Sequence, residues 1–179
     1  MNLSNIFRPA TVIAFWLLAS ATALALPDDR EKTISIESDS AERNEKTGLT
    51  VYRGNVIISQ GSILIEADEI TLHYQGKKIS RIECTGTPAS YQQRPEAEGQ
   101  PMIARAEHIG YLLAEDQIIL KRNAVLSRNG TIIKGDSIDY DIKKETWKAK
   151  GNDLGEQKRI QLVIPPSVQE STATGETTP

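Results

Sequence analysis

The chain has 179 residues, with 21 Lys and Arg against 24 Asp and Glu and a formal charge of −3. That balance excludes a nucleic-acid binder, which needs an excess of cations to neutralise phosphates. Cys84 is the single cysteine, so no intramolecular disulfide forms and the fold must be held by burial and strand pairing.

Arg8 is the only charged side chain before Asp28, and it precedes an apolar run over 10–25 that ends in Ala23-Leu24-Ala25. A basic start, a short apolar core and a small-x-small exit predict a secretory signal over 1–25, cut before Leu26. An uncleaved anchor is the alternative, but 16 residues are short for about 30 Å of hydrocarbon. No cysteine stands at the cut to carry a lipid. Cleavage removes Arg8 and moves the formal charge from −3 to −4.

After the signal the apolar pattern has period two. It runs through Thr33-Ile34-Ser35-Ile36-Glu37, Ile63-Leu64-Ile65-Glu66-Ala67 and Ile70-Thr71-Leu72-His73-Tyr74. It continues in Ile109-Gly110-Tyr111-Leu112-Leu113, Ile138-Asp139-Tyr140-Asp141-Ile142 and Ile160-Gln161-Leu162-Val163-Ile164. Isoleucine and valine dominate, as suits a pleated, half-buried surface. Turn pairs punctuate the runs at Thr47-Gly48, Gly54-Asn55, Gln60-Gly61, Gln75-Gly76, Gly99-Gln100, Glu115-Asp116, Asn129-Gly130 and Lys143-Lys144. No stretch keeps a helical period for ten residues. The pattern predicts an all-β domain over 26–166, built of about sixteen short strands in sequential antiparallel hairpins. Pro165-Pro166 ends it, and the Ser/Thr/Glu/Pro/Gly composition of 167–179 predicts a disordered tail.

A small residue followed by an acid recurs at Ser38-Asp39, Ala67-Asp68, Ala106-Glu107 and Gly135-Asp136, with the acids 29, 39 and 29 residues apart. Sliding the chain by 68 residues also matches Asn55 with Asn123, Ser59 with Ser127, Ile65 with Ile133 and Ile70 with Ile138. Two copies of one strand module explain this spacing. Strands paired in sequence leave the first and last, 33–38 and 159–164, as open edges able to accept a strand from another chain. Unlike edges that meet head to tail build filaments.

Reactive chemistry is sparse. His73 and His108 fall inside strands, and Cys84 lies between Glu83 and Thr85 with no protease-type signature around it. Two histidines 35 positions apart and one cysteine match no metal-ligand spacing. Asp68, Glu107 and Asp136 read as turn caps acting through their own backbone, with calcium ligation the alternative. Basic clusters at Lys77-Lys78 with Arg81, at Lys121-Arg122 and at Lys143-Lys144 offer charge-assisted contacts to phosphates. The favoured reading is that lysines at exposed strand ends suppress edge aggregation, since the net negative charge leaves little excess for a dedicated anion site. No catalytic residue, cofactor or metal is assigned.

Several segments in order resemble the OstA-like family of lipopolysaccharide-export bridge proteins. They are Ile34-Ser35-Ile36-Glu37-Ser38-Asp39, Val51-Tyr52-Arg53-Gly54-Asn55-Val56 and Gln60-Gly61-Ser62-Ile63-Leu64-Ile65-Glu66-Ala67-Asp68. Gly86-Thr87-Pro88-Ala89-Ser90-Tyr91, Gly135-Asp136-Ser137-Ile138-Asp139-Tyr140 and Val163-Ile164-Pro165-Pro166-Ser167 complete the likeness. The resemblance implies an open, twisted β-jellyroll in the periplasm whose interior holds lipid acyl chains. It implies head-to-tail homo-oligomers that shuttle lipopolysaccharide to the outer membrane. The partners implied are an inner-membrane export-complex protein with a similar domain and the N-terminal domain of the outer-membrane lipopolysaccharide-assembly protein. On the same resemblance Ile34, Ile36 and Tyr91 face lipid. The alternating positions Val51, Val56, Ile58, Ile63, Ile65, Ile70, Leu72 and Ile82 join them as candidate lining.

Burying a twelve-carbon chain is worth about 10 kcal/mol at roughly 0.8 kcal/mol per methylene. An isoleucine-lined groove therefore captures lipid without a basic patch. Periodicity alone does not separate such a groove from a closed core. A periplasmic scaffold that carries no lipid and a β-rich hydrolase are the readings from other classes.

Overall fold

A computed structural model of the chain describes residues 29–94, 100–152 and 159–166. The expected signal at 1–25, its cut site and the expected tail at 167–179 lie outside the described residues.

Among the described residues ten strands form one antiparallel sheet. They are β1 (Ile34–Glu37), β2 (Ser40–Asn44), β3 (Leu49–Gln60), β4 (Ile63–Gln75) and β5 (Lys78–Gln93). β6 (Met102–Leu112), β7 (Gln117–Arg128), β8 (Thr131–Asp141), β9 (Thr146–Lys150) and β10 (Gln161–Val163) follow. The path is β1-β3-β4-β5-β6-β7-β8-β10, with β2 beside β3 and β9 beside β8.

Ten strands, rather than about sixteen, correct the expected count. The reason lies in β3 through β8, each of which runs through a break in register. The breaks fall between Arg53 and Val56, Glu66 and Glu69, Thr85 and Ala89, Arg105 and His108, and Lys121 and Ala124. Each break is a bulge or a comparable irregularity, at which the ladder is interrupted and the strand can bend without ending. A run counted as two strands in the sequence is thus one strand with a corner. Gly54-Asn55, expected to be a hairpin turn, is such a corner inside β3, with φ of 77° and 46°.

Aligned across neighbouring strands, the corners divide the sheet into two leaves. The lower leaf holds β1, residues 56–60, 63–67, 89–93, 102–106, 124–128 and 131–135, and β10. The upper leaf holds β2, residues 49–53, 69–75, 78–85, 108–112, 117–121 and 137–141, and β9. The leaves pack face to face. Tyr91 of the lower leaf meets Tyr111 of the upper edge to face, with ring centroids 5.4 Å apart. Arg128 of the lower leaf donates to the Tyr140 hydroxyl of the upper leaf and pairs with Glu145 in the turn after β8.

Asp68, Glu107 and Asp136 sit at corners inside β4, β6 and β8 and not in strand-to-strand turns, which corrects their reading as turn caps, while Asp39 lies in the β1–β2 connection against the corner of β3. Asn55 donates to Asp39 at 2.9 Å, Asn123 to Glu107 at 2.7 Å and Asn152 to Asp136 at 3.4 Å, always sixteen residues apart. Asp68 instead accepts from the Thr87 hydroxyl at 3.4 Å. Asn55 and Asn123, related by the 68-residue shift, both take positive φ, as asparagine tolerates. The repeat in the sequence is therefore a repeat of corners, three of its four acids accepting from an asparagine amide and the fourth, Asp68, from a threonine hydroxyl.

Candidate functional site: an apolar cleft between the leaves

The inner faces of both leaves form one apolar cluster that includes Val56, Ile58, Ile63, Ile65, Ile70, Leu72, Ile82 and Tyr91. Ile34 and Ile36 are half-buried and pack against it from β1. Val51 is the exception among the candidates. The inward positions beside it belong to Thr50, which is buried, and to Tyr52, so alternation turns Val51 to the outer face.

Tyr91 has no exposed surface, and its hydroxyl donates to Gln93 Oε1 at 3.0 Å. That bond supplies the partner a buried phenol requires. Burial, and then the neighbouring Tyr111, push its ionisation well above the ordinary tyrosine value. Gln93 in turn donates to Asp29, which also accepts from the Ser62 amide at 2.8 Å and hydroxyl at 2.6 Å. The segment before β1 is thereby tied to the free end of the lower leaf.

Where the free ends of the leaves meet, closure is uneven. On the β7–β8 side, Arg128 clasps Tyr140 and Glu145 across the mouth. On the β1 side, a cleft of about 730 Å³ stays open, lined by Ile34, Gln60, Tyr74, Gln75, Lys77, Lys78, Ile79, Ser80, Leu113 and Ala114. Among the candidate residues only Ile34 lines this opening. Tyr74, Ile79 and Leu113 were missed, although Tyr74 continues the inward alternation of Ile70 and Leu72, and Leu113 that of Ile109 and Tyr111. They stand next to turns, where strand patterns are usually cut short.

The polar candidates lie elsewhere. His73 Nε2 meets Glu83 Oε2 at 2.6 Å, and Arg81 pairs with the same carboxylate at 2.5 Å. His108 lies between the Thr85 hydroxyl at 3.3 Å and Arg122 at 3.1 Å. These are cross-strand pairs on the polar faces of β4 to β7, away from the cleft. Cys84 is buried in the apolar cluster. Burial, and then the Glu83 charge, push its thiol up to about 12, so it carries almost no reactive thiolate near neutrality. Among the described residues no group of three His, Cys, Asp or Glu comes together to hold a metal.

An open, two-leaved β-sheet with an apolar interior and a cleft between its leaves defines a class of carrier architecture. The model for the LptA/(LptD N-terminal domain) LPS transport protein family matches residues 35–146. The chain belongs to this family. It is 34% identical to the lipopolysaccharide export system protein LptH of Pseudomonas aeruginosa, over 83% of this chain and 88% of that protein. It is 35% identical to the export system protein LptA of Escherichia coli K12, over 90% of this chain and 86% of the relative. The crystal structure of the P. aeruginosa LptH is described as the LptA-homologous periplasmic component of the lipopolysaccharide transport device. It superposes with a TM-score of 0.72 at 31% identity, covering 78% of this chain and all of that one.

Proposed function

We propose that this protein is a periplasmic, non-catalytic carrier that receives lipopolysaccharide by its acyl chains and passes it towards the outer membrane. The observation that carries the reading is the apolar interior that opens at the cleft beside β1. An interior closed all round has no entry for a ligand, whereas this one exposes Ile34, Tyr74, Ile79 and Leu113 at an opening of about 730 Å³. Ile36, deeper on the same face of β1, is half-buried against the core. Family membership and relatives named for lipopolysaccharide export support the choice of lipid.

The partners we propose are further copies of the chain, stacked head to tail through β1 and β10. At either end of the stack stand an inner-membrane export-complex protein with a similar domain and the N-terminal domain of the outer-membrane assembly protein. β1 and β10 end the sheet, and neither has a second strand neighbour among the described residues.

A photo-crosslinker placed at position 36 of the purified protein tests the lipid reading. The expected result is a covalent adduct with lipopolysaccharide, and Ile36→Asp, made without the crosslinker, should lose lipid capture, because a carboxylate on that face meets acyl chains without a partner. A folded Ile36→Asp variant with undiminished lipid capture takes β1 out of the carrier surface.

A further inference from the structure

We infer that Lys77, in the β4–β5 turn, and Lys78, at the start of β5, form the site that takes the phosphorylated headgroup of the lipid and thereby fixes its orientation in the cleft. The inference rests on the lipid-carrying reading above and adds the direction in which the lipid sits. The cleft lining carries two charges, Lys77 and Lys78, and no carboxylate. An amphiphile entering with its chains between the leaves leaves its anionic end at the mouth, beside these ammonium groups.

Three observations separate this lysine pair from ordinary surface lysines. First, protection of a sheet edge does not explain it, because β4 and β5 each have a neighbour on both sides. Second, the comparable turn after β8 also carries a lysine pair, but there Asp141 holds Lys144 at 2.7 Å and caps its backbone amide at 2.8 Å. The residue three places before Lys78 is Gln75, a neutral amide in the place of that aspartate. Neither Lys77 nor Lys78 meets a carboxylate among the described residues. Third, among three successive turns at this end of the upper leaf, only the middle one carries an excess of cations. The β2–β3 turn holds Glu45 and Lys46, the β4–β5 turn Lys77 with Lys78 directly after it, and the β6–β7 turn Glu115 and Asp116. An anion is drawn to the middle of these turns and repelled from the next.

The two lysines contribute little of the affinity, which acyl burial dominates. Their role is placement. Charge-assisted contacts to phosphate at an exposed rim are modest and are screened by salt.

The test uses the full mature protein with two probes, lipid A bearing both phosphates and the same lipid A with its phosphates removed. Wild type should bind the phosphorylated form roughly fivefold more tightly at low salt, and this preference should shrink as salt is added. Lys77→Ala/Lys78→Ala should remove the preference while leaving affinity for the dephosphorylated lipid and the melting temperature unchanged. Lys143→Ala/Lys144→Ala, an equal loss of charge at the tied pair, should keep it. A wild type that holds both lipids equally overturns the inference, as does a Lys77/Lys78 variant that keeps the preference. Equal loss in both double variants overturns it too, since net charge and not placement then decides. Binding of neither lipid by wild type removes the carrier reading itself.

Discussion

Thr50 and Val51 are neighbours whose positions run against their hydropathy. Thr50 is 4% exposed on the inner face, and its Oγ1 is the only buried side-chain polar atom without a partner among the described residues. Val51 takes the outer face. Reading apolar residues as inward fails at this pair, because facing follows strictly from alternation about the buried positions of β3 and not from each side chain's own preference. An unpaired buried hydroxyl costs free energy that a methyl of similar shape does not. Thr50→Val should therefore stabilise the protein by about 1 kcal/mol, read as a higher denaturation midpoint. A lower midpoint would mean that the hydroxyl has a partner in solution. Ile34, Ile36, Ile70, Leu72 and Ile82 were legible because each sits between polar residues on both sides, whereas Val56, Ile58, Ile63 and Ile65 adjoin Ile57 or Leu64 and are placed inward by alternation alone.

At the scale of the strand, the corners decide the architecture. Gly54 has a φ of +77°, and a Cβ added there would lie 2.2 Å from Asp39 Oδ2. The Asp39 amide also bonds the Gly54 carbonyl at 3.0 Å, so the β1–β2 connection is held directly against the corner of β3. Gly76 has a similar φ of +65° with no atom within 4 Å of such a Cβ. Gly76→Ala should cost only the left-handed conformation, about 1–2 kcal/mol. Gly54→Ala should cost clearly more, because Asp39 and its bond from Asn55 must also move. Chemical denaturation of the two variants side by side measures the difference, and equal losses would show that the Asp39 contact contributes nothing. The spacing of small-acid pairs revealed these corners in the sequence, but not what they were. A bulge and a hairpin turn draw on the same residues, Gly and Asn with positive φ. Only the pairing on both flanks tells them apart.

For the whole molecule, the proposed head-to-tail assembly rests on the two ends of the sheet. β10 keeps Leu162 46% and Val163 54% exposed, with Ile160 and Ile164 also exposed on either side of it. It bonds β8 on one side through Gln161, Leu162 and Val163. Joining β1 of a second copy would add ladder hydrogen bonds, each a net of about 0.5–1.5 kcal/mol, and so give reversible association. Removing residues 159–179 should leave a protein that binds lipid and keeps one mass across a concentration series, while the full chain grows. Light scattering decides this, and identical masses for both at every concentration would exclude β10 as the assembly surface.

The sequence by itself determined the all-β class, the succession of hairpins, the inward faces apart from Thr50 and Val51, the two terminal edges and the family. All of these depend on periods of two, on turn residues and on short motifs that neighbouring residues carry. The tertiary structure decided that pairs of short runs are single bent strands, that the two leaves close on each other, and that the mouth is clasped by Arg128 yet open beside Ile34. It also gathered Tyr74, Ile79 and Leu113 with Lys77 and Lys78 at one opening. Those facts depend on which residues oppose each other across a fold of the whole sheet, and no local period encodes that distance.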